Sequence, residues 1–175
     1  MGIPAAAKLV KFFVGLLTSR LDLLPRIYKS LEEKLGPIDF TGELIEFSFT
    51  SYYEKELGTE LKRQFLSFQE LISPDRLVEV KLFTNDLELK YSMEGKRQLN
   101  IDPGYLNDAR VVLASTKDFS HRIYMGQGIY AEITLLFRRH HFEALPWTYP
   151  DFRSEAYQKI LLNLRKKYME QMKAS

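Results

Sequence analysis

The residues best suited to chemistry lie in one short stretch, where Lys117, His121 and Arg122 follow one another closely. An arginine offers a planar fork of donors for a carboxylate or phosphate, a lysine offers a point charge, and a histidine exchanges protons near neutral pH. We therefore predict that Lys117 and Arg122 bind an anion and that His121 acts as a general acid or base. The alternative is a surface loop, in which charged residues are expected without any function.

Two carboxylates flank this stretch. Glu132 stands in the middle of an alternating strand pattern, so its side chain points either to solvent or into a pocket. Asp102 precedes a Pro-Gly pair, which is typical of a tight turn because proline presets φ and glycine permits positive φ. We predict that Asp102 or Glu132 orients His121 or holds a divalent cation. The alternative for Asp102 is that it only caps the turn.

A second group of candidates combines aromatic rings with a charge, in the run Tyr52, Tyr53 and Glu54. Such a run provides a stacking platform beside a carboxylate, or it closes the edge of the core. Tyr105 and Tyr124 are the remaining ligand-binding candidates. The predicted catalytic residues are His121, Asp102 and Glu132, and the predicted ligand-binding residues are Lys117, Arg122, Tyr124, Tyr52, Tyr53, Glu54 and Tyr105.

Known nucleotide and metal motifs are missing from the sequence. No G-x-x-x-x-G-K-[ST] run, whose amides and lysine hold phosphates, is present. The Gly-Gln-Gly run at 126–128 lies between two strand patterns, which favours a hairpin turn. His140, His141 and Glu143 also fit a polar hairpin turn better than a ligand set. We predict no metal site, and the sequence identifies no cofactor.

The composition indicates a folded protein of 175 residues, 45% of them hydrophobic, which we predict to form a single domain over residues 1–175. The formal net charge is only +2, so no overall field attracts nucleic acid, although nucleic acid stays open as a partner. The chain has no cysteine, which excludes disulfides and thiol catalysis and fits a reducing cytosol.

The apolar start of the chain, residues 3–17, does not predict a membrane segment. It is interrupted by Lys8 and Lys11 and is too short to span a bilayer. It also lacks a small-residue cleavage site of the kind that follows a signal peptide. We therefore predict a cytoplasmic protein without a membrane partner.

The first hundred residues alternate strand and helix patterns in the order βαββαβ, which is typical of a ferredoxin-like α+β fold with two helices on one sheet face. The almost continuous apolar run at 9–18 predicts a central strand. The predicted strands are 9–18, 43–49, 61–71 and 96–101, and the predicted helices run from about 24 to 35 and from 73 to about 91.

The rest of the chain predicts an extension of this core by a C-terminal β-hairpin and helices. The predicted elements are a helix near 106–114, strands near 122–125, 129–138 and 142–145, and a last helix that begins at Ser154.

The predicted strand order is 4-1-3-2, with strands 1 and 3 parallel and strands 2 and 4 running the opposite way. The carboxyl ends of strands 2 and 4 would then emerge at the same edge and bring Tyr52, Tyr53 and Glu54 close to Asp102 and Tyr105. Loops on a rigid sheet often carry binding groups, so this edge is a candidate site. Alternatively, the two loops pack their tyrosines together and seal the end of the core.

Several stretches together resemble a prokaryotic family, the domain of unknown function numbered 4416. They are KFFVGLL, FTSYYEKELG, LKRQFLSF, LNIDPGYL with VLASTKD, SHRIYMGQGIYAEITL, and PWTYPDF. The resemblance covers nearly the whole chain. It implies no catalytic residues, and the "GTP-binding protein" label of some members implies nucleotide binding, which would need a geometry other than a P-loop.

Two functions follow from these patterns. The first is an enzyme or binding domain for a small anionic ligand, such as a phosphate ester or nucleotide, held by Lys117 and Arg122. The second is a non-catalytic module that binds RNA or protein on the open sheet face through its aromatic rings. Coverage of that face by the C-terminal elements would favour a pocket. The sequence indicates neither a reaction nor an oligomeric state.

Overall fold

In the computed structural model, which describes residues 2–174, the chain forms one antiparallel sheet of nine strands with four helices. This confirms the α+β class. No helix in this range is long and apolar enough to cross a membrane. The helices are α1 (Leu24–Leu35), α2 (Glu54–Leu57), α3 (Leu77–Lys90) and α4 (Glu155–Ala174). The strands are β1 (Val10–Thr18), β2 (Ile38–Thr41), β3 (Ile45–Glu46), β4 (Lys62–Ile72), β5 (Leu99–Leu106), β6 (Arg110–Ser115), β7 (Ile123–Gly126), β8 (Ile129–Arg138) and β9 (His141–Ala144).

Strand β1 lies at the centre of the fold, as its apolar sequence predicts. All its residues are buried, and it pairs with β4 on one side and β5 on the other. Because successive side chains of a strand point to opposite faces, Phe12 and Val14 pack under α1 and α3, whereas Phe13 packs under α4. The strand is therefore the floor of two apolar layers.

Both sheet faces are covered. Helix α1 buries Ile27 and Leu31 on one face, together with residues of α3, and α4 buries Tyr157 and Leu161 on the other face. Burial of such side chains contributes about 1.5–3 kcal/mol each. The C-terminal helix thus covers the face that an exposed aromatic platform would need.

The sheet order is β2-β4-β1-β5-β6-β8-β7, with β3 paired to β4 and β9 paired to β8. The four core strands follow the predicted order. The prediction that strands 1 and 3 run parallel is wrong, because Val10 pairs with Ile72 and Thr18 with Lys62 in an antiparallel register. The core belongs to a larger sheet of nine strands within residues 2–174, which does not establish a ferredoxin-like topology.

The predicted turn at Asp102 and the predicted helix at 106–114 are both wrong, because β5 continues through Asp102 and turns directly into β6. The run at 111–113 is rich in β-branched residues, which favour strands. Gly104 allows the close approach of β6, since a Cβ there would lie 2.5 Å from the Val112 carbonyl oxygen. Pro103 has no N–H to donate and stands where pairing with β6 stops.

The hairpin between β7 and β8 agrees with the prediction. Gln127 has φ 52° and Gly128 has φ 76°, the left-handed conformation that tight turns need. Strand β8 spans the predicted residues 129–138. The predicted strand 43–49 is reduced to the two-residue β3, and β2 precedes it at the edge of the sheet.

Candidate functional site

A cavity of about 630 Å³ opens where the sheet divides between β5 and β6. These strands pair only over three positions, from Gly104 to Leu106 opposite Leu113 to Val111. Before Gly104 the two strands make no pairs, and the walls come from β4, β5, β6, β8, α3 and the segment that precedes α4. The volume is in the range of small-molecule sites.

Side chains of α3 occupy the place of the missing strand pairing. The Ile101 N–H donates to Glu88 Oε1 at 2.6 Å, and Lys81 Nζ donates to the Ile101 carbonyl oxygen at 3.2 Å. Lys81 and Glu88 are two helical turns apart and therefore share one face of α3. Burial raises the pKa of Glu88. The helix thus satisfies backbone groups that β6 would otherwise bind.

Arg97 ties three elements together at one end of the cavity. Its Nε and Nη2 donate to the two carboxylate oxygens of Glu56, each at 2.7 Å, in a bidentate pair. Its Nη1 donates to Glu88 Oε2 at 2.8 Å and to Asn100 Oδ1 at 3.0 Å. The hydrogen bonds from Arg97 lower the pKa of Glu56. This end of the cavity is therefore rigidly cross-linked.

Arg63, only 3% exposed, forms the floor. Its Nη1 donates to Asp102 Oδ2 at 2.9 Å, its Nε donates to the Tyr157 hydroxyl at 3.2 Å, and its Nη2 lies 3.7 Å from Asp151 Oδ2. Burial raises the pKa of Asp151. Burial acts the same way on Asp102, but Arg63 and then Lys81 bring the pKa of Asp102 below its usual range. One arginine thus contacts two carboxyl groups whose pKa values are shifted in opposite directions.

Arg122 and Glu132 form a buried pair at the opposite wall. Arg122 Nε donates to Glu132 Oε2 at 2.9 Å, and the two side chains are only 5% and 2% exposed. Arg122 also donates to Ser115 Oγ, to the Lys117 carbonyl oxygen and to the Tyr149 hydroxyl, at 2.9 to 3.0 Å. Arg122 is therefore not an exposed surface arginine: its guanidinium holds two loops against β8.

His121 binds the same carboxylate from outside the cavity wall. Its Nε2 lies 2.9 Å from Glu132 Oε2, and its ring stacks on Trp147 at a centroid distance of 5.0 Å and an angle of 10°. The Phe119 ring contacts the His121 ring at a centroid distance of 5.3 Å. Glu132 therefore contacts both His121 and Arg122, and the predicted role of a carboxylate that orients His121 stays a prediction.

The mouth of the cavity carries Lys117 and two tyrosines. Lys117 Nζ lies 3.4 Å from the Tyr52 hydroxyl and 5.1 Å from the centre of the Tyr52 ring. The Tyr52 ring meets Tyr53 edge-on at 5.1 Å. Burial raises the pKa of Tyr53, so this hydroxyl stays protonated at neutral pH. Tyr52 is 63% exposed and accessible to a ligand.

The cavity brings together six of the ten predicted site residues. They are Tyr52, Tyr53, Asp102, Lys117, Arg122 and Glu132. His121 reaches the site only through Glu132. Tyr105 packs on Phe12 in the opposite layer, Tyr124 packs on Tyr130 at the edge strand, and Glu54 is exposed at the start of α2.

Tyr52, Tyr53 and Asp102 meet for a different reason from the one predicted. Strand β3 runs parallel to β1, since both are antiparallel to β4, whereas β5 runs opposite to β1. The carboxyl ends of β3 and β5 therefore lie at opposite edges. The residues meet because Asp102 belongs to the first half of β5, close to the end of β3. Tyr105, in the second half, points to the other layer.

Arg63 and Asp151 are site residues that the sequence analysis missed. The spacing placed Arg63 on an alternating strand face with Leu61 and Phe65. A charged residue on an otherwise apolar strand face is a signal for a buried ion pair, but its partners are far away in sequence. Asp151 lies 88 positions from Arg63, and no local pattern connects them.

The lining is polar, charged and close to electrical balance. It contains five cationic and four anionic side chains: Arg63, Lys81, Arg97, Lys117 and Arg122 against Glu88, Asp102, Glu132 and Asp151. Within residues 2–174, no group of three or more His, Asp or Glu side chains is arranged to hold a metal ion. The lining therefore presents both hydrogen-bond donors and acceptors, with five formal positive charges against four negative ones.

Comparisons with known proteins agree with the resemblance seen in the sequence. A search of curated proteins and a search of solved structures each found no match. The family described as "Domain of unknown function (DUF4416)" matches residues 8–168, a range that contains every residue of the cavity wall. The chain therefore belongs to the DUF4416 family.

Proposed function

We propose that the cavity between β5 and β6 binds a small anionic ligand of the phosphate-ester or nucleotide class. The observation that carries this proposal is the ammonium group of Lys117. It lines the cavity mouth, and no carboxylate within residues 2–174 lies close enough to form an ion pair with it. A cation at a cavity mouth attracts and orients an anion.

The other cations of the wall support this assignment by contrast. Arg63, Arg97 and Arg122 each pair with at least one carboxylate, and Lys81 donates to the Ile101 carbonyl oxygen of β5. Arg122 donates four hydrogen bonds to the protein, whereas a guanidinium has five N–H groups. Among the residues 2–174, one N–H of Arg122 thus has no hydrogen bond, and the Lys117 ammonium donates only to the Tyr52 hydroxyl.

Aromatic rings at the mouth extend the proposal from phosphate to nucleotide-like ligands. Phe49, Tyr52 and Tyr149 all line the cavity and are 41%, 63% and 49% exposed. Any nucleobase can stack on such rings, because stacking does not depend on the hydrogen-bonding groups of the base. Catalytic roles of His121, Asp102 and Glu132 stay predictions. The contacts of Glu132 support positioning of Arg122 and His121.

The rival function, an RNA- or protein-binding sheet face, has less support. The face opposite α1 and α3 is covered by α4, whose Tyr157, Leu161 and Leu164 pack against Phe13 and Phe65. We also propose that the four strands β5-β1-β4-β2 form a ferredoxin-like unit, since they have the strand order of that fold and two helices on one face. These four strands supply the floor of the proposed site.

A thermal-shift screen with inorganic phosphate, nucleotides and sugar phosphates tests the proposal. A ligand that binds only the folded state stabilises it by RT ln(1 + [L]/Kd), about 2.7 kcal/mol at one hundred times Kd. We expect Lys117→Ala to lose the shift produced by a phosphate ligand. The matched control Lys29→Ala removes an exposed lysine of α1 and should keep it. No stabilisation by any phosphate compound, or an unchanged shift in Lys117→Ala, would contradict the proposal.

A further inference from the structure

Asn100 and Asp102 form a donor–acceptor pair in the cavity wall. They are two residues apart on β5 and therefore point to the same side of the strand. Both line the cavity. Their side-chain heads complement each other, since an amide nitrogen donates hydrogen bonds and a carboxylate only accepts them.

The orientation of the Asn100 amide is fixed by Arg97. Arg97 Nη1 donates to Asn100 Oδ1 at 3.0 Å, so Nδ2 must be the other corner of the amide. Asn100 is only 6% exposed, and its Nδ2 makes no hydrogen bond of acceptable geometry with any group in residues 2–174. A buried donor without an acceptor costs about 1–3 kcal/mol. A ligand that accepts from Nδ2 recovers this free energy.

The orientation of the Asp102 carboxylate is fixed by Arg63. Arg63 Nη1 donates to Oδ2 at 2.9 Å, and the Asp102 side chain keeps 28% of its surface exposed, towards the cavity that it lines. Although burial opposes ionisation, Arg63 and then Lys81 keep the pKa of Asp102 below its usual range. The Asn100 amide adds to this lowering, so its Nδ2 lies on the Asp102 side, but it does not reach the geometry of a hydrogen bond. The ionised Asp102 therefore presents an acceptor beside the Asn100 donor.

We propose that Asn100 and Asp102 bind a hydroxyl group of the ligand, which makes the ligand class a hydroxylated phosphate ester such as a sugar phosphate. A hydroxyl accepts from Asn100 Nδ2 and donates to the Asp102 carboxylate at the same time. A phosphate oxygen is repelled by Asp102, and an ammonium group has no lone pair for Asn100. This assignment rests on the proposed function, because the anionic part of the same ligand would bind at Lys117.

The test compares two phosphate esters with the same number of carbon atoms. Ribose 5-phosphate carries hydroxyl groups and n-pentyl phosphate carries none, and inorganic phosphate reports the anion site alone. We expect the intact protein to bind ribose 5-phosphate about tenfold or more tighter than pentyl phosphate in titration calorimetry. Asn100→Ala should remove most of that preference and leave the affinity for inorganic phosphate unchanged. Asn163→Ala, an exposed asparagine of α4, is the matched control.

The outcomes separate the two proposals. Equal binding of the two esters, or a preference that survives in Asn100→Ala, overturns the hydroxyl site and leaves the anion site standing. Absence of binding by all three compounds overturns both. Because Asn100→Ala also removes an acceptor of Arg97, Asn100→Asp serves as a second variant that keeps this acceptor and removes the donor. It also adds a negative charge, whose effect on the anion is measured by the affinity of the same variant for inorganic phosphate. Adenosine 5′-phosphate then distinguishes the two sources of the hydroxyl group. If it binds more tightly than ribose 5-phosphate, the ligand is a nucleotide, and if it binds equally or less tightly, the ligand is a sugar phosphate.

Discussion

Replacement of Arg63 by methionine removes the cation from the cavity floor while keeping most of the side-chain volume. In the wild-type protein this guanidinium donates to Asp102, Tyr157 and the Gly15 carbonyl oxygen and lies near Asp151. Arg63→Met leaves two carboxylates in the same wall without the charge that compensates them.

The expected loss of stability is large. Removing one partner of a buried ion pair typically costs about 3–5 kcal/mol, because the remaining charge stays desolvated. Arg63 is 3% exposed, so solvent cannot take its place easily. A typical domain has about 5–15 kcal/mol of stability in total. The variant is therefore expected to fold with a much reduced free energy of unfolding.

The loss should depend on pH in a defined direction. In the wild type the pKa of Asp102 is lowered, so its contribution is present above the unfolded-state pKa and is lost as pH falls through the folded-state pKa. Without Arg63, burial dominates and raises the pKa of Asp102, and it raises that of Asp151 further. The variant then takes up protons on folding and gains stability as pH falls from 7. The difference in free energy of unfolding between the wild type and Arg63→Met should therefore become smaller as pH falls towards about 4.

Urea unfolding at pH 7 and at mildly acidic pH measures both quantities. Arg26→Met, which replaces an exposed arginine of α1, should change stability by no more than about 0.5 kcal/mol at either pH. If Arg63→Met lowers the free energy of unfolding by less than about 1 kcal/mol at pH 7, the buried ion pair does not stabilise the fold as argued. A loss that does not change with pH would refute the argument as well.

Three further predictions concern the walls. Gly104→Ala should lower the free energy of urea unfolding by about 1–3 kcal/mol or more, because its Cβ would lie 2.5 Å from a backbone carbonyl oxygen of β6. The control Gly2→Ala places its Cβ with no atom within 4 Å and should leave the stability unchanged. Arg122→Ala should cost about 3 kcal/mol in urea unfolding, since it leaves the carboxylate of Glu132 buried and without its guanidinium, and a change within about 0.5 kcal/mol would mean that the pair is solvated. Burial raises the pKa of Tyr157 to about 12, so Tyr157→Phe should remove only a late step from an alkaline absorbance titration; loss of a step near an ordinary tyrosine pKa would contradict this.

Local patterns predicted the parts of the fold that depend on nearby residues. The apolar run of β1, the stripe of α1 and the alternation in β8 each reflect burial along a single element. The direction of the strands and the position of Asp102 within β5, by contrast, depend on contacts between elements. A Pro-Gly pair usually marks a turn, but here Gly104 admits a neighbouring strand and Pro103 ends its pairing.

The site shows the same division. Lys117, Arg122 and Glu132 lie within sixteen positions in sequence, so their types and order were sufficient to identify them as a group. Arg63, Asp102 and Asp151 meet only through the pairing of β4 with β1, of β1 with β5, and the docking of the segment before α4. Sequence spacing contains no information on such meetings. The prediction of a single domain over residues 1–175 stays a prediction.

Because β5 and β6 do not pair before Gly104, one backbone amide of β5 should exchange its hydrogen by a different route from its neighbours. The Ile101 N–H is protected by a helix side chain, Glu88, and not by a neighbouring strand. Its exchange therefore requires only that α3 move away from the sheet, whereas exchange of amides bonded within β1 and β5 requires the strands to separate. The rate at this single amide reports the opening of the cavity wall, and a ligand that bridges the gap should slow it before it changes the exchange of the core.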